Sequence, residues 1–232
     1  MLVDAQQLQQ ISLFKAVDPS LLGQLAESSR LKTYDSDEIV FHEGDALPAC
    51  LYLLVAGSLR LTKISESGKE TILRLLWADA VFAAPALFGN GQAPATATAL
   101  EPIEVLTIDR DALLKAFQSA PELALHLLGI FNQRLQHMHN RVHGLVSERA
   151  IVRLIHYLEY FAASAGTETV PEGQQLKAHL THYQIARSIG ITYEESVRLF
   201  KQLKGVVAYQ RGGKITMLDV EKLAAIAQHQ AD

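Results

Sequence analysis

The chain has 232 residues, 49% of them hydrophobic and 20% charged, the balance of a globular protein with one large or two modest domains and not of a disordered or fibrous one. The longest uncharged apolar runs fall short of a membrane span and are broken, as Asp79 breaks Leu75 to Leu87, while the single cysteine, Cys50, excludes an internal disulfide and a four-thiolate iron–sulfur cluster. The net charge of −4 is uneven: residues 1–118 hold 9 Lys and Arg against 15 Asp and Glu, whereas residues 179–214 hold 6 against 2, a basic island in an acidic chain.

The first residues, MLVDAQQLQQ, have neither the basic nor the apolar region of a secretory signal, so the expected compartment is the reducing cytoplasm, with no membrane partner. Leu8, Ile11, Leu13, Phe14 and Val17, then Leu21, Leu22 and Leu25 after Asp18-Pro19-Ser20, have helical spacing. From about Lys32 to Ile108 the texture changes. Ile39–Phe41, Leu51–Val55, Leu59–Lys63 and Thr71–Leu76 are short strand-like runs punctuated by Gly, Asp and Pro, which predicts an antiparallel barrel or sandwich.

After Pro121, apolar residues fall at Ala124, Leu128, Phe131, Leu135, Met138, Val142 and Leu145, alternating steps of four and three. That is an a/d seam over three heptads with polar flanks, suited to pairing with a second copy of itself. Gly144 is expected to loosen this helix at a junction. Arg149–Phe161 forms another helix, and Ala165–Gln174, with Gly166, Pro171 and Gly173, reads as a loop.

Thr181-His182-Tyr183-Gln184 has the form of a capping box, Ile185, Ala186 and Ile189 follow on the helix, and Gly190 ends it. Thr192-Tyr193-Glu194-Glu195 is a second capping box two residues later. Its helix buries Leu199, Phe200 and Leu203 and turns Glu194, Arg198 and Lys201 outward. Helix, glycine turn and helix with a polar, basic outer face make a helix-turn-helix. Val206–Tyr209 and Lys214–Leu218, joined by Gly212-Gly213, add a β-hairpin wing. The expected DNA-contacting set is Thr181, Gln184, Thr192, Tyr193, Glu194, Arg198 and Lys201. Glu194 suits a cytosine amino group and Arg198 a guanine or phosphate.

With these motifs the chain resembles the CRP/FNR family of bacterial transcription regulators over nearly its whole length. Ile39-Val40-Phe41-His42-Glu43-Gly44-Asp45 resembles the family's first β-roll glycine motif, Leu51–Gly57 the strand and glycine that follow, and Gln184 through Arg198 its helix-turn-helix signature. The resemblance implies an α+β fold in three parts. These are a jelly-roll-like antiparallel β-roll sensor with flanking helices at 1–118, a dimerisation helix at 119–147, and a winged helix-turn-helix at 148–232. It further implies cytoplasmic homodimers, through Leu128, Phe131, Leu135, Met138, Val142 and Leu145, that bind near-palindromic duplex DNA and work with RNA polymerase.

The family's cyclic-nucleotide cassette resembles Phe-Gly-Glu followed by Pro-Arg-Ser/Thr-Ala, in which Glu receives the ribose and Arg the cyclic phosphate. Here the matching stretches are Phe82-Ala83-Ala84 and Pro94-Ala95-Thr96-Ala97, so Ala84 stands for the Glu and Ala95 for the Arg. Arg134 and Leu135 stand where such members place a polar pair for the base. A phosphate without its arginine lacks a charge-assisted partner, so activation by cyclic AMP is not expected and the effector stays unidentified. The recognition helix begins Tyr193-Glu194 where family readers often have Arg-Glu, and Ser196 stands where an apolar residue is common.

No cofactor is expected. His139 and His143, at i and i+4, have the spacing of a two-ligand metal face, with the solvated-flank reading favoured. Haem, which some family members ligate through histidine or cysteine, is the lesser alternative. No Gly-x-Ser-x-Gly, Walker loop or His-Glu-x-x-His occurs, so no enzyme is expected. The rival class is a cyclic-nucleotide-binding-type or gas-sensing module whose role is ligand sensing and not DNA binding.

Overall fold

Asp4 and Asp18 start the two N-terminal helices. Asp4 closes a reciprocal capping box with Gln7 at α1 (Ala5–Gln10), and Asp18 accepts from the Ser20 N–H at α2 (Pro19–Glu27), with Pro19 in the first turn where its missing N–H costs nothing. A 3-10 turn, Ser12–Phe14, links them. The computed structural model describes residues 3–229 and divides into two units, Met1–Leu135 and Gln136–Asp232.

In the first unit, β1 (Ser29–Tyr34), β2 (Ile39–Phe41), β3 (Cys50–Ala56), β4 (Ser58–Ile64), β5 (Glu70–Trp77), β6 (Ala80–Phe82), β7 (Thr96–Ala99) and β8 (Ile103–Asp109) form two antiparallel sheets, ordered β1-β8-β3-β6 and β2-β7-β4-β5. Alternation along β3 divides the core. Leu51 and Leu53 pack with Leu8, Phe14, Leu22 and Leu25 of the N-terminal helices. Tyr52 and Leu54 face the roll interior with Leu59, Leu76, Phe82 and Ala97. Gly57 makes the β3–β4 turn at φ +78°, and a Cβ there would stand 2.5 Å from the Pro102 carbonyl oxygen. The short α3 (Ala84–Phe88) and α4 (Arg110–Ser119) complete the roll.

The long helix α5 runs Pro121–Ser147, and the division between the units falls within it. Leu123 and Leu127 are buried, whereas Leu128, Leu135, Met138, Val142 and Leu145 are each at least half exposed. Gly144 does not loosen the helix, which continues through it. It is buried, and a Cβ there would approach Glu148 Oε2 to 2.8 Å, so its smallness makes room for that side chain.

In the second unit α6 (Ala150–Ser164) buries Val152, Leu154, Ile155, Leu158 and Phe161 and packs against α7 (His182–Ile189) and α9 (Val220–His229). The segment expected as a loop, Ala165–Gln174, is instead most of a hairpin, β9 (Thr167–Val170) with β10 (Gly173–Leu176). Pro171 and Glu172 make the turn and Gly173 already pairs with Val170 as the first residue of β10, while Thr167, Thr169 and Val170 have the β-branched side chains that suit strands. β10 pairs with β12 (Lys214–Met217), and β11 (Val207–Gln210) pairs with β12 on its other side, giving the order β11-β12-β10-β9. The wing is thus part of a four-stranded sheet. Gly173 comes so close to the Met217 carbonyl that no Cβ fits. Among the described residues no helix is long and apolar enough to cross a membrane.

Candidate nucleic-acid interface

Both helices of the predicted helix-turn-helix form, as α7 and α8 (Tyr193–Gln202). Thr181 accepts from the Gln184 N–H while the Gln184 side chain accepts from the Thr181 N–H at 2.9 Å, the full capping box. Gly190 closes α7 at φ +73°. Thr192 caps α8 by accepting from the Glu195 N–H, but Glu195 turns to Arg198 at 3.3 Å, so the second box is half formed. That pair is surface-exposed and worth little.

Three turns of α8 sort their side chains sharply. Ser196, Leu199 and Phe200 are buried, whereas Tyr193, Glu194, Arg198, Lys201 and Gln202 are exposed. Thr181 and Thr192 are exposed at the two helix starts, and Gln184 is half-buried beside Thr181. The outward face presents an acceptor, two cations and a phenol, the chemistry that reads base edges and neutralises phosphates. Lys204 and Arg211 are also exposed, and Gly212 and Gly213 turn the wing at φ +88° and +81°.

Behind this face lies a ring cluster that no motif of the sequence marks. His182 stacks on Tyr209 of β11 with centroids 3.9 Å apart, meets Phe200 and Tyr193 edge-on, and hydrogen-bonds through Nδ1 to Ser196 Oγ at 3.0 Å. Burial holds the His182 imidazole below its ordinary pKa and pushes the Tyr209 phenol up, partly offset by the bond from the His182 N–H. The only hint in the sequence is Ser196 at a core position, since a buried hydroxyl needs a partner.

Also unforeseen is the last turn of α7. Arg141 of α5 donates to the Ser188 carbonyl at 2.7 Å, Arg153 of α6 donates to the Ile189 carbonyl at 3.1 Å, and the Tyr157 hydroxyl donates to Ser188 Oγ at 2.9 Å. Carbonyls at a helix end lack helical partners and carry negative dipole charge, so guanidinium donors suit them. Burial lowers the Arg141 pKa and raises that of Tyr157. A cavity of about 440 Å³ borders these bonds, and its lining includes His137, Arg141, Arg153, Glu148 and Glu159, charges of both signs.

The roll interior is apolar where the effector positions fall. Ala95 is buried in the core and Ala84 half-buried at the start of α3, while Thr96 Oγ1 accepts from the Glu43 N–H at 3.0 Å. Phe41, Tyr52 and Phe82 pack ring against ring with centroids 5.8 to 6.2 Å apart, and burial pushes the Tyr52 phenol up to about 12. The interior is therefore filled by aromatics as well as by the expected alanines. Arg134 is half-buried and Leu135 exposed on α5. Burial, then Asp109, raises the Cys50 thiol, which disfavours a reactive thiolate. His139 and His143 are exposed, and among the described residues no three His, Cys, Asp or Glu side chains gather for a metal. His137 stacks on Tyr160 at 3.8 Å.

A winged helix-turn-helix with a polar, basic reading face, preceded by an antiparallel β-roll, defines a DNA-binding regulator. Residues 31–120 match the cyclic nucleotide-binding domain and residues 152–226 the Crp-like helix-turn-helix domain. A "CRP-like cAMP-activated global transcriptional regulator" of Mycobacterium tuberculosis is 24% identical over 95% of this chain and 98% of its own. The "cAMP-activated global transcriptional regulator CRP" of Pasteurella multocida is 28% identical over 82% and 89%. The fold also matches a CooA mutant from Carboxydothermus hydrogenoformans with a TM-score of 0.76 at 19% identity, covering 98% of this chain and 97% of that one. The chain belongs to the CRP/FNR family of transcription regulators.

Proposed function

We propose that the protein is a cytoplasmic homodimer that binds a near-palindromic DNA site in the major groove through α8, acts on transcription with RNA polymerase, and carries out no catalysis. The observation that carries this reading is the exposed face of α8, where Glu194, Arg198 and Lys201 stand on a helix capped by Thr192 and backed by the wing. Two-fold pairing is supported by the stripe Leu128, Leu135, Met138, Val142 and Leu145, apolar side chains left at least half exposed on one helix face.

Two relatives are cAMP-activated by name. We propose that this chain is not. Ala83 takes φ +50°, the left-handed region that favours glycine, where the family's cassette has glycine, which supports the register placing Ala84 at the Glu position and Ala95 at the Arg position. An alanine at the Arg position, buried among apolar side chains, offers a cyclic phosphate no charge-assisted donor. Selection of duplexes from a random pool tests the DNA reading. The expected product has two inverted half-sites about one helical turn apart; enrichment of a single unpaired half-site contradicts it.

A further inference from the structure

Four contacts converge on the last turn of α7 from the helices before it. Arg141 reaches the Ser188 carbonyl, Arg153 the Ile189 carbonyl and Tyr157 the Ser188 hydroxyl, and Leu145 Cδ2 lies 3.1 Å from where a Cβ on Gly190 would stand. Arg153 also donates to the Glu148 carbonyl at 2.6 Å, tying α6 to the end of α5. Arg141 lies between Met138 and Val142, both on the exposed apolar stripe, and its own side chain turns inward to α7. Three residues separate Ser188 from Thr192, the cap of the reading helix, so whatever fixes Ser188 to α5 fixes the start of α8.

We propose that Arg141 is a positioning residue for DNA recognition: its bond to the Ser188 carbonyl, steadied by Tyr157, locks the reading helix to the dimer helix and thereby sets the spacing and tilt at which two copies present α8. The proposal rests on the homodimer reading. A main-chain carbonyl is a fixed point, unlike a side-chain partner that swings away, and a charge-assisted bond to it is among the stronger kinds. Losing it leaves each α8 able to enter a groove while loosening the registration between the two.

The test compares binding of the full chain to its selected two-half-site duplex, to one half-site, and to the two-half-site duplex lengthened by one base pair. Wild type should prefer the full site and reject the altered spacing. Arg141→Met should lose on the order of tenfold on the full site, the size of one charge-assisted hydrogen bond. On the half-site it should change less than about twofold, and it should accept the altered spacing more readily. Arg141→Lys should recover part of the loss, and the isosteric Tyr157→Phe should show a smaller loss of the same kind, which keeps the test open if Arg141→Met does not fold. Equal losses on full and half sites, or unchanged spacing preference, overturn the proposal. A wild type without any full-site advantage overturns the homodimer reading first, and the proposal with it.

Discussion

His182 Nδ1 and Ser196 Oγ stand 3.0 Å apart in the interior of the helix-turn-helix, joining the first residue of α7 to the buried face of α8. Ser196 is fully buried, so this bond satisfies a hydroxyl that would otherwise be orphaned among Leu199 and Phe200. The same imidazole lies on the Tyr209 ring, so one residue ties reading helix and wing together.

Burial depresses the folded pKa of His182 below the ordinary 6.5, so the unfolded chain takes up that proton first. The contribution to stability is intact above about pH 6.5 and is lost as pH falls from there toward the folded value, below which it levels off. Urea unfolding at pH 7.5 and 5.5 should show the helix-turn-helix weakening on acidification, with a smaller drop in His182→Gln. An equal drop in both proteins means that other groups carry the pH dependence.

Gly190 has two reasons to be glycine: φ +73°, and Leu145 beside it. Gly190→Ala should cost about 1–2 kcal/mol from the left-handed backbone alone, before the contact with Leu145 is counted. Thermal denaturation reads the loss directly. A variant as stable as the parent shows that the turn has relaxed to another conformation.

Glu194→Ala should relax discrimination at one base position by about 1–3 kcal/mol. Lys201→Ala should weaken all duplexes alike and flatten the dependence on salt. Competition titrations over several salt concentrations separate the two effects. A changed base preference in Lys201→Ala, with none in Glu194→Ala, reverses the assigned roles.

Calorimetry with cyclic AMP and cyclic GMP should show at most weak binding. Micromolar affinity for either contradicts the placement of Ala84 and Ala95 at the cassette positions, while a Soret band in the purified protein points to haem.

Periodic signals were the most legible. The a/d spacing placed α5, whose seam is left exposed except at the half-buried Ala124 and Phe131, the latter packed on the core of the first unit, and Thr181, Gly190 and Thr192 marked the ends of α7 and α8 because caps are local chemistry. Ala80–Phe82 and Thr96–Ala99 were not legible as strands, being too short to show alternation and dominated in β7 by alanine and threonine. Thr167–Leu176 was hidden because Pro171 and Gly173 mark a turn without saying whether strands flank it. Arg141, Arg153 and Tyr157 looked like parts of helix faces. Their partners, two carbonyls and the Ser188 hydroxyl, lie 31 to 47 residues away, which no local pattern encodes.

The seam is tested by Phe131→Asp with Leu135→Asp, which should give monomers by light scattering and abolish tight binding. Dimers that survive the double change remove the seam from α5.

The most direct test of the central claim is a fluorescence-anisotropy titration of the full chain against its selected duplex and a scrambled one at physiological salt. Two chains should bind per selected duplex, with an affinity about 10³-fold or more above that for the scrambled sequence. Binding of equal strength to both duplexes, or of one chain per site, contradicts a homodimeric reader of sequence.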